Sequence, residues 1–341
     1  MPVIADNPPP HPEPAWPVVG HKWAVALLQN ALETGRQAHA YLISGPAQIG
    51  RCTLALALAR ALNCTGDSAP CQLAGSGVCR ACRLIAAGTH PDVRVIVPEG
   101  ASIKIDQVRE LQHDLALSPV EGRFRVAIVD GMEKATAEAS NALLKTLEEP
   151  PPYVVLVLVA LEPELLLPTI VSRCQPVPLR PLALEEVKEA LVSRWGVAEE
   201  RAGQLAHLSG GRLGWAVVMA QDEGLLHKRA ARLDELARLL DAKRVARFAY
   251  AEELAGDNAA ALETLDLLES WWRDVMLVAA GSRAPLVNVD RRAELEQQAA
   301  RFGVERARQA IAALSRTAWQ IRHNANARLA IETLLLDLPG K

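Results

Sequence analysis

Three groups of residues in this chain have the types and spacing to do chemistry. Gly45 and Gly50 bracket the loop in GPAQIGRCT (residues 45–53), between a short apolar run and an Ala/Leu-rich run, LALALARAL. In the pattern G-x-x-x-x-G-K-[ST] this spacing turns backbone N–H groups toward phosphates, the lysine bridges the β and γ groups, and the hydroxyl binds Mg²⁺. Here the two positions after the second glycine are Arg51 and Cys52. Arginine is a planar fork rather than a compact point charge, and a thiol is a poor ligand for a hard cation. Thr53 comes one residue, or about 100°, too late on a helix. The backbone and the helix N-terminus remain available to a nucleotide, but neither firm ATP or ADP binding nor productive hydrolysis is expected.

Asp130 ends the run FRVAIVD, where phosphate-loop ATPases place the aspartate that organises Mg²⁺ and, in many families, an adjacent glutamate that activates water. Its neighbour is Gly131, and Glu133 is displaced three residues along, where it is expected to face away from the strand end. Asp130 reads equally well as a cap on the turn. The second group is Cys64-x6-Cys71-x7-Cys79-x2-Cys82. Four thiolates close a tetrahedron around Zn²⁺ with no open position, so the expected role is structural. Nothing in the sequence points to export, and a cytoplasmic metal site is preferred over a disulfide framework. The third is Ser172-Arg173-Cys174. In phosphoryl transfer an arginine supplied in trans neutralises charge on the γ-phosphoryl group, although a lone surface arginine carries that reading only weakly.

These groups need elements to position them. Strands are predicted at His39–Ser44, Val93–Val97, Phe124–Asp130 and Tyr153–Ala160. Helices are predicted at Trp23–Leu32, after the phosphate loop, at Ile105–Leu117, at Glu138–Glu149, where prolines 150–152 stop the chain, and at Glu162–Val171. Such alternation argues a doubly wound parallel α/β domain over residues 18–180. Beyond Pro181 only helical periodicity remains. A small lid domain over 181–221 uses Leu184–Trp195, Glu199–Leu208 and Gly214–Ala220. A helical bundle, or collar, over 222–341 has its last stretch broken near Gly303 and again near Ser315–Thr317. Residues 1–17 hold seven of the 22 prolines and are expected to form an extended, disordered leader.

Composition sets the outer limits. Of 341 residues 50% are hydrophobic but only 4% aromatic, so the core is built from Leu, Val, Ile and Ala. Lys plus Arg is 37 against 40 for Asp plus Glu, giving a net charge of −3 and no global basic field for nucleic acid. The longest strongly apolar run, Tyr153–Leu161, falls short of the roughly 20 residues needed to span a membrane. Six arginines, Arg301, Arg306, Arg308, Arg316, Arg322 and Arg328, are the ones a zinc-containing nucleic-acid-binding module would use, but they fall on several helix faces.

Taken together, HAYLISGP and the loop after it, the cysteines ending in CRAC, AGTHPDV, IKIDQVREL, RVAIVDGMEKATAEASNALLKTLEEPP and TIVSRC resemble the clamp-loader subunits of bacterial DNA polymerase III, in the AAA+ clamp-loader family. The resemblance spans about residues 18–180, and the helical remainder is similar in layout only. It implies an AAA+ phosphate-loop domain with a zinc-binding insertion, a lid and an oligomerising collar. The family includes a gamma/tau motor that hydrolyses ATP and a member with the same fold and a defective nucleotide site. Arg51, Cys52 and Gly131 depart from the motor's Lys, Ser/Thr and Glu, which points to the inert member, with an active motor as the alternative.

By the same resemblance Arg173 matches the arginine finger that completes a neighbour's ATP site, and Cys64, Cys71, Cys79 and Cys82 match the zinc ligands. The expected partners are the gamma/tau and delta subunits, the sliding clamp and, through the assembled complex, primed DNA. Three positions depart from the family pattern. Six residues, Gln72–Gly77, separate Cys71 from VCRAC. Ala160 and Leu161 stand where a polar sensor is expected. In SGGRLGWA, Arg212 is about two residues out of register with the second sensor.

Overall fold

The computed structural model describes residues 16–66, 69–73, 77–323 and 325–339. They form two compact units, one running to Ala202 and including Gly211–Val218, the other comprising Gly203–Gly210 and the chain from Met219 onward.

In the first unit the order is α1 (Lys22–Glu33), β1 (Ala40–Ser44), α2 (Arg51–Asn63), α3 (Arg80–Ala86), β2 (Val93–Ile96), α4 (Ile105–Ala116), β3 (Arg125–Asp130), α5 (Ala137–Glu148), β4 (Val154–Ala160), α6 (Pro168–Val171), β5 (Gln175–Pro178) and α7 (Leu184–Trp195). The strands form one sheet in the order β2-β3-β4-β1-β5, and every pairing is parallel. This is a five-stranded, wholly parallel sheet with the glycine loop following β1. Because it is covered on both faces, its central strands are continuous apolar runs, and successive residues feed opposite cores. Tyr41, Ile43, Ile128 and Val157 pack with α1 and α2, whereas Leu42, Val129 and Leu158 pack with α4 and α5. The register pairs Ser44 with Ala160 and Asp130 with Val159, which brings the loops after β1, β3 and β4 to one end of the sheet.

Several expectations are corrected. β5 was not legible because its sequence is Gln-Pro-Val-Pro, yet it pairs with β1. Leu179 N donates to Ser44 O at 2.7 Å, so Pro176 and Pro178 fall at the alternate positions whose N–H would point away from β1. The helix expected over Glu162–Val171 is a single 3-10 turn at Pro163–Leu165 followed by the four-residue α6, which Pro168 starts. α3 lies inside the cysteine-rich insertion, with Cys79 as its N-cap. Residues 1–15 of the expected leader lie outside the described residues. Its last two residues belong to the domain, because Trp16 is buried in the α1/α2 core and Arg194 Nη1 donates to Pro17 O at 3.2 Å.

α8 (Glu199–Ser209) and α9 (Leu213–Gln221) carry the chain between the units. The second unit continues with α10 (Glu223–Asp241), α11 (Arg244–Leu254), α12 (Asn258–Ala279), α13 (Arg292–Arg322) and α14 (Ala327–Asp337). Its core contains Leu265, Trp272, Leu314, Ile331 and Leu334, with Trp272 tilted against Phe302 at 5.3 Å between ring centroids. Asp274, fully buried, accepts hydrogen bonds from Val287 N, Asn288 N and Asn288 Nδ2 and so fixes the segment before α13. α13 kinks at Gly303 (φ 67°) as expected. The expected break at Ser315–Thr317 is absent, since Thr317 Oγ1 bonds back to Ala313 O at 3.0 Å and the helix continues. The break falls instead before Asn326, which caps α14. No helix among the described residues is long and apolar enough to cross a membrane.

Candidate functional site

The loop after β1 passes through the left-handed region at Gln48 (φ 60°) and reaches Gly50 (φ 105°), the N-cap of α2. It is tightly enclosed. Gly45 N donates to Leu161 O at 3.0 Å, and a Cβ at Gly45 would lie 2.5 Å from Leu179 O. Gly214 N donates to Gln48 O at 2.9 Å, and a Cβ at Gly214 would lie 2.6 Å from that oxygen. Gly214 stands two residues after Arg212, whose guanidinium lies 5.9 Å from the Trp215 ring centroid. Two residues on from Arg212, the Gly214 backbone thus meets the loop directly.

Arg51 opens α2, and its Nη1 is buried without an acceptor among the described residues. Cys52 is close to Asp130. Burial, reinforced by the Asp130 and Glu133 carboxylates, pushes the Cys52 thiol up to about 12. A neutral S–H therefore stands where Mg²⁺ chemistry needs a hydroxyl oxygen. Glu133 does not face away. Gly131 takes φ 76° and the following 3-10 turn, Met132–Lys134, carries Glu133 back to the strand ends, where its Oε2 accepts from Leu161 N at 3.3 Å. Glycine permits this reversal because the left-handed conformation is open to it at little cost.

Arg173 lies just past α6. Its Nη1 donates to Thr169 O at 2.9 Å and its Nη2 to Glu148 Oε1 at 2.8 Å, with 36% of the side chain exposed. Ser172 Oγ closes the turn on Thr169 O at 3.2 Å. Cys174 is buried, and burial pushes its thiol up to about 12, so it anchors the turn by packing. Glu148 ends α5 immediately before Glu149 and Pro150. This contact was missed in the sequence because 25 residues separate its members.

The structure brings Cys64, Cys71, Cys79 and Cys82 together, with their sulfurs within 4.8 Å of one another. The Cys64–Cys71 and Cys64–Cys79 Sγ distances are 3.4 and 3.9 Å. Disulfide sulfurs sit about 2.05 Å apart, whereas Zn–S bonds of about 2.3 Å put tetrahedral sulfurs about 3.8 Å apart. Two backbone amides point at the sulfurs, Gly66 N at Cys64 Sγ (3.4 Å) and Cys82 N at Cys79 Sγ (3.5 Å). Burial alone would raise the Cys79 thiol, but hydrogen bonds from the Cys82 and Thr65 backbone outweigh it and bring the group down to about 6. Burial raises Cys64 and Cys82. The extra residues between Cys71 and VCRAC leave Cys71 within the cluster; a Cβ on Gly66 would fall 2.6 Å from its sulfur. The donor set and spacing fit a closed tetrahedral metal site.

Of the six arginines in the terminal helices, Arg301, Arg308, Arg322 and Arg328 are paired with Asp241, Glu305, Asp266 and Glu252 respectively.

Comparison with known proteins gives a consistent picture. The family profile described as "DNA polymerase III, delta subunit" matches residues 20–183, and that described as "DNA polymerase III, delta subunit, C terminal" matches residues 223–339. The chain is 29% identical over 317 residues to DNA polymerase III subunit delta′ of Bacillus subtilis, covering 92% of this chain and 94% of that protein. It is 38% identical over 176 residues to subunit tau of Escherichia coli, covering 51% of this chain but only 26% of tau. A gamma subunit-related protein of Thermotoga maritima superposes with a TM-score of 0.47 at 20% identity, over 92% of this chain and 98% of that one.

Proposed function

The chain belongs to the DNA polymerase III delta-subunit family as a clamp-loader subunit homologous to delta prime, and from that membership we propose a structural, nucleotide-inert role for it within the loader. It presents Arg173 to the ATP site of a neighbouring gamma/tau motor and thereby helps couple that motor's nucleotide state to placing the sliding clamp on primed DNA. The delta subunit is a further partner. Residues 18–180 act as the AAA+ domain, 181–221 as the lid and 222–341 as the collar that joins the ring. Cys64, Cys71, Cys79 and Cys82 hold a structural Zn²⁺, which pins the insertion to α2 and takes no part in a reaction.

One observation carries this reading. The same chain that holds a partly exposed arginine on a short turn has Arg51 and Cys52 in its own phosphate loop, with the Cys52 thiol protonated against Asp130. A finger works in trans by meeting charge on a phosphoryl group. It needs reach and an easily broken resting contact, and a half-exposed ion pair to Glu148 contributes at most about 1 kcal/mol. In the reconstituted loader, Arg173→Ala should lower ATP turnover by roughly an order of magnitude or more while the complex stays assembled on size-exclusion chromatography. Unchanged turnover would overturn the finger assignment.

A second reading, the active motor, is favoured by the orphaned Arg51 Nη1, a buried donor that an anion on the loop would satisfy. Equilibrium binding of Mg·ATP to the purified chain decides between them, with Arg51→Lys/Cys52→Thr as the comparison. No binding by the native chain and a gain in the variant support the inert subunit, whereas tight native binding followed by turnover would establish the motor. For the nucleic-acid-module reading, four of the six terminal-helix arginines face carboxylates in partly exposed pairs, and salt-sensitive DNA binding by the isolated chain is the result that would favour it.

A further inference from the structure

Arg60 lies in the last turn of α2 and is 3% exposed. A guanidinium is charged at every pH a protein experiences, and burying a charge is costly unless an opposite charge or a full set of hydrogen bonds offsets it. Two other buried arginines have carboxylates for that purpose, whereas a third, Arg247, is met by the main-chain oxygens of Leu335 and Leu240. Asp92 lies 3.8 Å from Arg125, and Asp290 lies 3.0 Å from Arg229. Arg60 has no carboxylate partner among the described residues. Its Nη2 donates to the main-chain oxygen of Cys71, and its Nε is buried without an acceptor. Its own carbonyl lies 3.9 Å from Cys82 Sγ. Both ends of the residue thus touch members of the cysteine cluster.

Four neutral thiols would supply no negative charge. Four thiolates around a divalent cation carry two negative charges in excess. We propose that Arg60 is the buried counter-charge of the metal centre, a positioning residue that holds the Cys71 backbone and ties the end of α2 to the cluster. The inference rests on the zinc reading above. Groups next to metal ligands that orient or neutralise them typically account for 10- to 100-fold in metal affinity.

The first measurement is the zinc content of the purified native chain, where about one equivalent is expected; none would sink the metal reading itself, whatever Arg60 does. Competition with a chromophoric chelator then compares Arg60→Met, which removes the charge, with Arg60→Lys, which keeps it. Arg60→Met should release zinc at roughly 10- to 100-fold lower chelator strength, and Arg60→Lys should recover most of the difference. Arg60→Lys also guards against a Met variant that fails to fold. A cation in the last turn also interacts with the helix dipole. If that were its whole role, Arg60→Met would lower the melting temperature equally with and without zinc and leave zinc affinity unchanged, which overturns the proposal. Asp67, the one acidic residue between the first and last cysteines, lies outside the described residues. If Asp67→Asn reproduces the zinc loss of Arg60→Met, Asp67 is the neutralising group and the proposal again falls.

Discussion

Arg173 is held by the Thr169 carbonyl, the Ser172 hydroxyl and one half-exposed carboxylate. Such a pair fixes a rotamer without strongly stabilising the fold. Glu148→Gln should therefore leave unfolding free energy within about 0.5 kcal/mol of native. If Arg173 meets a neighbour's phosphate, the carboxylate competes with it, and removing that competition should lower the loader's apparent KM for ATP by up to about fivefold, the equivalent of about 1 kcal/mol. A rise in KM would mean that Glu148 aims the arginine rather than competes for it. Residues of this kind were only half legible. The glycine spacing, Arg51, Cys52 and the CxxC end are local patterns and stood out in the chain. Glu148 opposite Arg173, Arg60 under the cysteines and Gly214 on Gln48 are long-range contacts with no local signature.

At the scale of elements, one side chain gathers three successive amides of the loop before β3. Asp92, buried at the start of β2, accepts from Val120 N (2.7 Å), Glu121 N (2.9 Å) and Gly122 N (2.7 Å). Burial opposes its ionisation, but these three N–H groups and Arg125 more than offset that and hold the carboxyl below its ordinary value of 3.8. A depressed folded value means that the carboxylate's contribution is complete above the unfolded value, near pH 4, and is lost as pH falls through the folded value. Asp92→Asn should cost about 2–4 kcal/mol at pH 7. It should also flatten the loss of stability below pH 4, measured by denaturant titration across pH; an equally steep acid limb in the variant would assign that limb to other groups. Elements were legible where a single period dominated. β1, β3 and β4 read directly as buried runs. β5 did not, because two prolines mask a strand that needs donors on one side only. Ser315 and Thr317 suggested a break, but Thr317 satisfies its hydroxyl on the preceding turn and leaves the helix intact.

For the whole molecule, the sheet unit and the helical unit each enclose their own core. Calorimetric unfolding should therefore not be two-state. Two transitions are expected, with Asp92→Asn lowering one and Asp274→Ala, which strips Val287 and Asn288 of their buried acceptor, lowering the other. A single transition moved by both substitutions would show that the units unfold together. Strand signals stop abruptly near Pro181, whereas the first compact unit runs on to Ala202 and takes in Gly211–Val218.

The sheet also has a chemically asymmetric boundary. At β5 the outward positions are Pro176 and Pro178, so this margin offers carbonyl oxygens to its surroundings and lacks the amides at those positions that a further strand would require. In a concentrated solution of identical molecules, growth of one sheet onto another is opposed at this margin by its composition. Valine at both positions would keep the inner pairing to β1 and turn the same margin into a template for aggregation.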